Sequence, residues 1–333
     1  MSNAKYDVLG IGNAIFDVLV KTDEGFLATH GMAKGGMALI DEARATAIYR
    51  DMGPATEMSG GSAANTIVGI ASLGARAAYV GKVKDDQIGR LYAHDIRAAG
   101  VAFATRAAVD GPATGCCYIL VTPDGERTMN TYLGAAQELT PADIDAAEIA
   151  ASRFIYLEGY LWDPANAKEA FVKASRIAHD SGREVALTLS DSFCVDRYRD
   201  EFLELMRGGT VDIVFANEAE LHSIYQTSDF DGALTQLRQD VKLGVVTRSE
   251  KGCVVASRNG VIAVPAHPIE AMVDTTGAGD LFAAGFMFGL VRGASYDDAG
   301  RLGALAAAEV IQHIGARPQV SLKELAQQQG LPV

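Results

Sequence analysis

Positive charge is scarce in this chain. Lysine and arginine number 29 against 42 aspartates and glutamates, a formal net charge of −13 over 333 residues. That balance excludes a basic face for nucleic acid and a docking patch for an anionic membrane. Cysteine is scarce as well: Cys116, Cys117, Cys194 and Cys253 are the four present, and no C-x-x-C spacing occurs. Adjacent cysteines bridge poorly, so reduced, buried thiols in a cytoplasmic protein are expected. The chain does not open on a basic flank followed by an apolar core, so no secretory leader is read. The longest uncharged apolar run, Leu281–Val291, is too short to span a bilayer. The G-x-x-x-x-G-K run of a P-loop is missing. Gly10-Ile11-Gly12-Asn13 lacks the third glycine of a dinucleotide fingerprint and leads into the extended Ile15–Val20, so that reading is rejected too.

What is present is apolar content, 49% of residues, enough to fold, laid out as strands alternating with helices. Tyr6–Ile11, Ala77–Gly81, Phe154–Leu157, Glu184–Leu189, Val211–Phe215 and Lys242–Thr247 read as strands. Helices are read over about 62–73, 85–99, 165–180, 281–291 and 296–313, and Gly252–Ala256 with Val261–Val264 as a hairpin. The pattern predicts an α/β fold with a mostly parallel central sheet flanked by helices on both faces. Two blocks interrupt it, at about 16–40 and 104–132. Gly35–Ile40, Cys116–Val121 and Arg127–Tyr132, the last two joined by a turn at Pro123–Glu126, are expected to pair as a small β-sheet lid over a site. With no linker or repeat, residues 1–333 read as a single domain carrying that lid.

The chemistry concentrates at Asp274-Thr275-Thr276-Gly277-Ala278-Gly279-Asp280, which opens directly into an apolar helix. Small residues ahead of a helix leave amides free, and with the helix dipole they suit an anion. Asp280 in the first turn is either a cap or a general base beside that anion. Gly60-Gly61-Ser62-Ala63-Ala64-Asn65 opens another helix, through close packing or to admit a polyol that Asn65 can read. Asn217 and Glu220 make a capping box or a metal-side pair. Thr247 and Gly252 flank a polar turn. Ala308 lies on a small-residue helix face that suits close packing or a flat ring. Arg127 stands at a hairpin edge, and Asn13 and Asp17 follow the first strand.

Taken in order, these motifs resemble the PfkB/ribokinase family of small-molecule kinases over nearly the whole chain. The resemblance implies a ribokinase-like fold, with Asp280 as base and Gly277, Ala278 and Gly279 as anion hole. It implies Asp17, Gly61 and Asn65 on the acceptor, where Asn13 joins them by its place after the first strand, and Asn217, Thr247 and Gly252 near ATP, whose purine could lie on the small-residue face at Ala308. Glu220 is then set to place Mg2+. Arg127 is the positive group chosen for the transferring phosphoryl, brought onto it by closure of the lid. A monovalent cation (K+) near Asp274 and Thr276 is possible by the same resemblance. Asp23–Leu27, Gly36–Asp41, Arg127–Ala136 and Tyr156–Trp162 look like the adenosine kinase branch, which implies a nucleoside 5′-hydroxyl as acceptor. Tyr160, Trp162 and Phe16 are candidate walls for a base, or core. The alternatives are a sugar kinase of the ribose, fructose or 2-keto-3-deoxygluconate type, and a non-catalytic binding relative. Monomer and homodimer both stay open.

Overall fold

A computed structural model describes residues 4–333. A nine-stranded sheet forms its centre, in the order β14-β13-β12-β11-β10-β9-β1-β5-β6. These strands are β1 (Tyr6–Ile11), β5 (Ala77–Val80), β6 (Val101–Phe103), β9 (Ser152–Glu158), β10 (Glu184–Thr188), β11 (Ile213–Asn217), β12 (Leu243–Thr247), β13 (Cys253–Ser257) and β14 (Gly260–Val264). From β6 to β12 every pairing is parallel, and the β12–β13–β14 edge is antiparallel. Helices cover both faces and split the core into two clusters. That is why β1 and β9 read as near-continuous apolar runs. One face carries the helices Ser62–Ser72, Ala278–Arg292 and Tyr296–Val310. The other carries Ala165–Asp180, Ser192–Arg207 and Glu218–Tyr225.

The ribokinase-like α/β fold expected from the sequence is the one observed, with a second sheet of five strands. Its order is β3-β8-β7-β2-β4, made from β2 (Ile15–Lys21), β3 (Met37–Leu39), β4 (Thr56–Gly60), β7 (Gly115–Val121) and β8 (Arg127–Tyr132). The turn between β7 and β8 forms as expected, with Gly125 donating to Thr122 O and Thr122 to Glu126 O. Two features of this sheet depart from the sequence reading. The 16–40 block contains a short helix, Glu24–Thr29, capped by Asp23. The fifth strand comes from Thr56–Gly60, whose polar composition hides it. It is an edge strand and leaves three of its five positions incompletely buried. Residues 104–114 contain no named strand.

The geometry that matters for function is where the parallel strands end. Asn13 follows β1, Glu158 closes β9, Ser190 and Asp191 follow β10, Asn217 closes β11 and Thr247 closes β12. All six face one cavity, at the carboxyl edge where open α/β sheets place ligands. The second sheet supplies the opposite wall through Ile15, Met37, Leu39, Ile119 and Met129, with Leu133 just beyond β8.

Candidate active site

The cavity has a volume of about 910 Å3. Two helix starts meet in it. The first is the Gly277–Asp280 turn. Gly277 has φ 78° and caps the helix in the left-handed region, where a Cβ is disfavoured and would also sit 2.7 Å from the Ala316 side chain. Ala278 N donates to Thr275 O at 3.2 Å, which leaves the amides of Gly277 and Gly279 for a ligand. The second is Gly61–Asn65. Gly61 has φ 95°, and a Cβ there would lie 2.2 Å from Asn13 O. The missing side chain lets the helix Ser62–Ser72 begin against the end of β1.

Asp280 is held between these two starts. Ser62 Oγ donates to its Oδ1 at 2.6 Å and Asn65 Nδ2 to its Oδ2 at 3.0 Å. A carboxylate only accepts, so the Asn65 amide orientation is fixed. Asn65 Oδ1 is left buried with no partner, an acceptor awaiting a hydroxyl or amine. Burial raises the Asp280 pKa, and the Ser62 and Asn65 hydrogen bonds oppose that rise. The residue does not cap its helix; it faces the cavity.

Asp17 on β2 faces the same space. Burial pushes its carboxyl up to about 7, with Arg317 opposing and Asp280 adding to the shift. Glu158, which the sequence reading did not assign, accepts from Asn13 N at 3.2 Å, Asn13 Nδ2 at 2.9 Å and Ala63 N at 2.8 Å. It ties the end of β1 to the start of the helix Ser62–Ser72, and burial raises it to about 7. Its signal was a single acidic residue ending the apolar Phe154–Leu157 run. Arg317 was also unassigned. It donates to Ser59 O from Nε and Nη2 at 3.1 and 2.9 Å, and to Ala64 O at 3.0 Å. It thus grips the chain on both sides of Gly60–Gly61. No pattern around Arg317 marks that role.

Glu220 and Asn217 form the full capping box: Asn217 N and Nδ2 donate to Glu220 at 3.0 and 2.6 Å, and Glu220 N donates back at 2.8 Å. Both line the cavity as well. Burial, helped by the Asp191 charge, raises Glu220 to about 7. Among the described residues no group of three or more His, Cys, Asp and Glu is arranged to hold a metal. The donor set still fits Mg2+, which takes hard oxygen ligands, keeps several waters and shares the rest with phosphates. Glu220 and Asp191 are such donors, and their mutual repulsion favours a cation nearby.

Several expected residues lie elsewhere. Arg127 is not a cavity wall. Its guanidinium pairs with Asp274 and donates to Thr276 Oγ1 at 3.1 Å. Asp274 also accepts from Thr276 N and Gly315 N, both at 3.0 Å. Asp274 and Thr276, the residues considered for K+, thus both have partners within the chain. Gly252 sits in the turn before β13, pressed against Val264 O, and Ala308 is buried in the helix Tyr296–Val310. Neither lines the cavity. Tyr160 does, 37% exposed, with its hydroxyl donating to Ser190 O at 3.3 Å. Trp162 and Phe16 are core, Trp162 packing on Phe171 and Phe202.

The model of the pfkB family carbohydrate kinases matches residues 52–322. This chain belongs to the PfkB family. Among solved structures, the adenosine kinase of Sinorhizobium meliloti is 57% identical, with a TM-score of 0.92 over 98% of this chain and 100% of that one. A probable sugar kinase from Rhizobium etli CFN 42 is 53% identical, with a TM-score of 0.93 over 99% and 100%. The Saccharomyces cerevisiae adenosine kinase is 28% identical over 92% of this chain and 94% of its own. The protein is a PfkB-type kinase resembling adenosine kinases, which sets aside the non-catalytic reading. PfkB kinases act on small molecules with ATP. Among the described residues no helix is long and apolar enough to cross a membrane.

Proposed function

We propose that this PfkB kinase moves the γ-phosphoryl group of ATP to the 5′-hydroxyl of adenosine or a related purine nucleoside. The observation that carries the reading is Asp280, a cavity-facing carboxylate beside the open amides of Gly277 and Gly279 and steadied by Ser62 and Asn65. In this reading Asp280 takes the hydroxyl proton as the acceptor oxygen bonds to the γ-phosphorus. The bond from that phosphorus to the β,γ-bridging oxygen breaks, and ADP leaves. The amides of Gly277 and Gly279 stabilise charge on the phosphoryl oxygens. Asp17, the orphaned Asn65 Oδ1 and the Gly61 backbone hold the sugar hydroxyls. Asn217 and Thr247, at the ends of β11 and β12, border the nucleotide. Mg2+, held by Glu220 with water, would supply charge neutralisation to the phosphates.

Preference for a nucleoside over a free sugar draws on the opposite wall. On the second sheet, Ile15, Met37, Leu39, Ile119 and Met129, with Leu133 just beyond β8, give that wall an apolar area beside Asp17, Cys117 and Thr131, suited to a base and wasted on a hexose. Acting as a lid, that sheet would keep out water, which otherwise competes as acceptor. Two relatives being adenosine kinases supports the same acceptor.

The test is a panel of adenosine, other nucleosides, ribose, fructose and 2-keto-3-deoxygluconate, read as acceptor-dependent ADP release. Adenosine or another purine nucleoside should lead by kcat/KM. A sugar leading the panel overturns the nucleoside assignment and favours the sugar-kinase alternative.

A further inference from the structure

The cavity is an acidic place to bring a triphosphate. Asp17, Glu158, Asp163, Asp191, Glu220 and Asp280 all line it, and among its described lining residues Arg197 alone carries a lysine or arginine charge. Arg197 belongs to none of the motifs singled out in the sequence.

Its setting is unlike that of a structural arginine. Its ion pair with Asp163 is long, 3.3 Å, with 39% of the Arg197 side chain exposed. Asp163 has a second partner in the Tyr198 hydroxyl. The guanidinium lies over the Phe193 ring at 4.9 Å and near the Tyr198 ring at 5.1 Å. Phe193 is itself 65% exposed at the cavity. An aromatic shelf orients a guanidinium and leaves its N–H edge free. The helix Ser192–Arg207 is broken right after this residue, at Tyr198, with φ −121° and ψ 22°. The first turns, which bear Phe193 and Arg197, are thus set apart from the rest of the helix.

The position suits polyphosphate. The helix starts at Asp191, which follows β10, and β10 is paired with β11. β11 carries Asn217 and leads to Glu220. The Asp191 charge is felt at Glu220, and those of Asp191, Asp280 and Glu220 at Tyr160. Arg197 lines the same cavity as Asn217, Glu220 and Asp280, on the helix that Asp191 caps.

We propose that Arg197 is a phosphate-binding residue, exchanging its loose contact with Asp163 for oxygens of the ATP polyphosphate. The assignment rests on the reading that this cavity holds ATP. Arginine is fitted to the task, since its planar fork meets phosphate oxygens two at a time. Phe193 holds the fork in place, and Asp163 parks it when the site is empty.

The experiment is calorimetric titration of the full chain with a non-hydrolysable ATP analogue and Mg2+, without acceptor, then with ADP and with adenosine. Arg197→Met should weaken binding of the triphosphate roughly tenfold to a hundredfold, the range for one charge-assisted pair. Its effect on adenosine should stay within about twofold. Arg197→Lys should recover part of the loss, and Asp163→Asn should bind the analogue at least as tightly as wild type. Wild type that binds no triphosphate overturns the kinase reading and this assignment together. Wild type that binds, with Arg197→Met equal to it or weakened equally toward adenosine, overturns the assignment alone. If Arg197→Met does not fold, Arg197→Lys and Asp163→Asn decide: both weaker than wild type by the same factor for ATP and adenosine means a structural role.

Discussion

Asn65 donates its side-chain amide to Oδ2 of Asp280 at 3.0 Å, joining the first turns of two helices 215 residues apart. The bond favours the ionised form of the carboxyl, against burial, which favours the neutral form.

Asp280→Asn should retain fold and ligand binding while lowering turnover by roughly 10²–10⁴-fold, the contribution of a general base. Asn65→Leu removes one stabilising donor and leaves burial unopposed at that oxygen. The acid limb of its kcat–pH profile should move to higher pH, because the base must be ionised to act. A limb that stays in place or moves down shows that Asn65 does not tune Asp280.

Arg127 and Asp274 are both buried, with side chains 9% and 2% exposed. Arg127→Met should destabilise the protein by about 3–5 kcal/mol, as expected when one partner of a buried pair is removed. Denaturant titration checks this, and adding Asp274→Asn should return part of the loss. With Asp274 already paired to Arg127, replacing K+ by Na+ at constant ionic strength should leave kcat unchanged.

Asp17, Glu158 and Glu220 share an elevation to about 7 from 3.8, 4.5 and 4.5, in each case by burial. Below the usual carboxylate range all three are neutral in the folded and unfolded chains, and burial costs nothing extra. As pH rises through 7 the folded protein must ionise them in place, while the unfolded chain ionises them in water. The ligand-free protein should therefore show a higher urea midpoint at about pH 5.5 than at about pH 8. Glu158→Gln should flatten part of that slope. Saturation with magnesium and ATP should flatten it further, since a cation favours ionised Glu220.

A Cβ at Gly60 would lie 2.1 Å from Oδ2 of Asp17. Gly60→Ala should turn that carboxylate away and raise the acceptor KM about tenfold, the effect of losing one hydrogen bond to a charged group. The ATP KM should stay where it is. A rise in both would place Asp17 outside the acceptor site.

The sequence revealed what a local pattern can carry. The glycine turn ahead of Asp280 opens a helix whose apolar length showed its burial, and Asn217 with Glu220 formed the box that their spacing prescribes. Helix Ala165–Asp180 was legible to the residue, because an amphipathic run follows Pro164. What escaped is either masked by local charge or depends on partners far along the chain. The helix Ser192–Arg207 crowds Asp, Arg and Glu over its apolar stripe, so its period was missed despite the Asp191 cap. Helices Glu42–Asp51 and Phe230–Asp240 were missed as well, though Asp41 caps the first. Arg317 is meaningful only once folding brings Ser59 and Ala64 beside it.

That late arginine has a consequence for synthesis. The carboxylate at Asp280 and the loop at Gly60–Gly61 leave the ribosome before the residue that clamps the loop and offsets the acid's charge. Because chains are made from the N-terminus onward, a nascent kinase holds its reactive groups without their fastening. Competence waits for Arg317, so abortive fragments ending upstream of it would carry the motif yet consume no ATP.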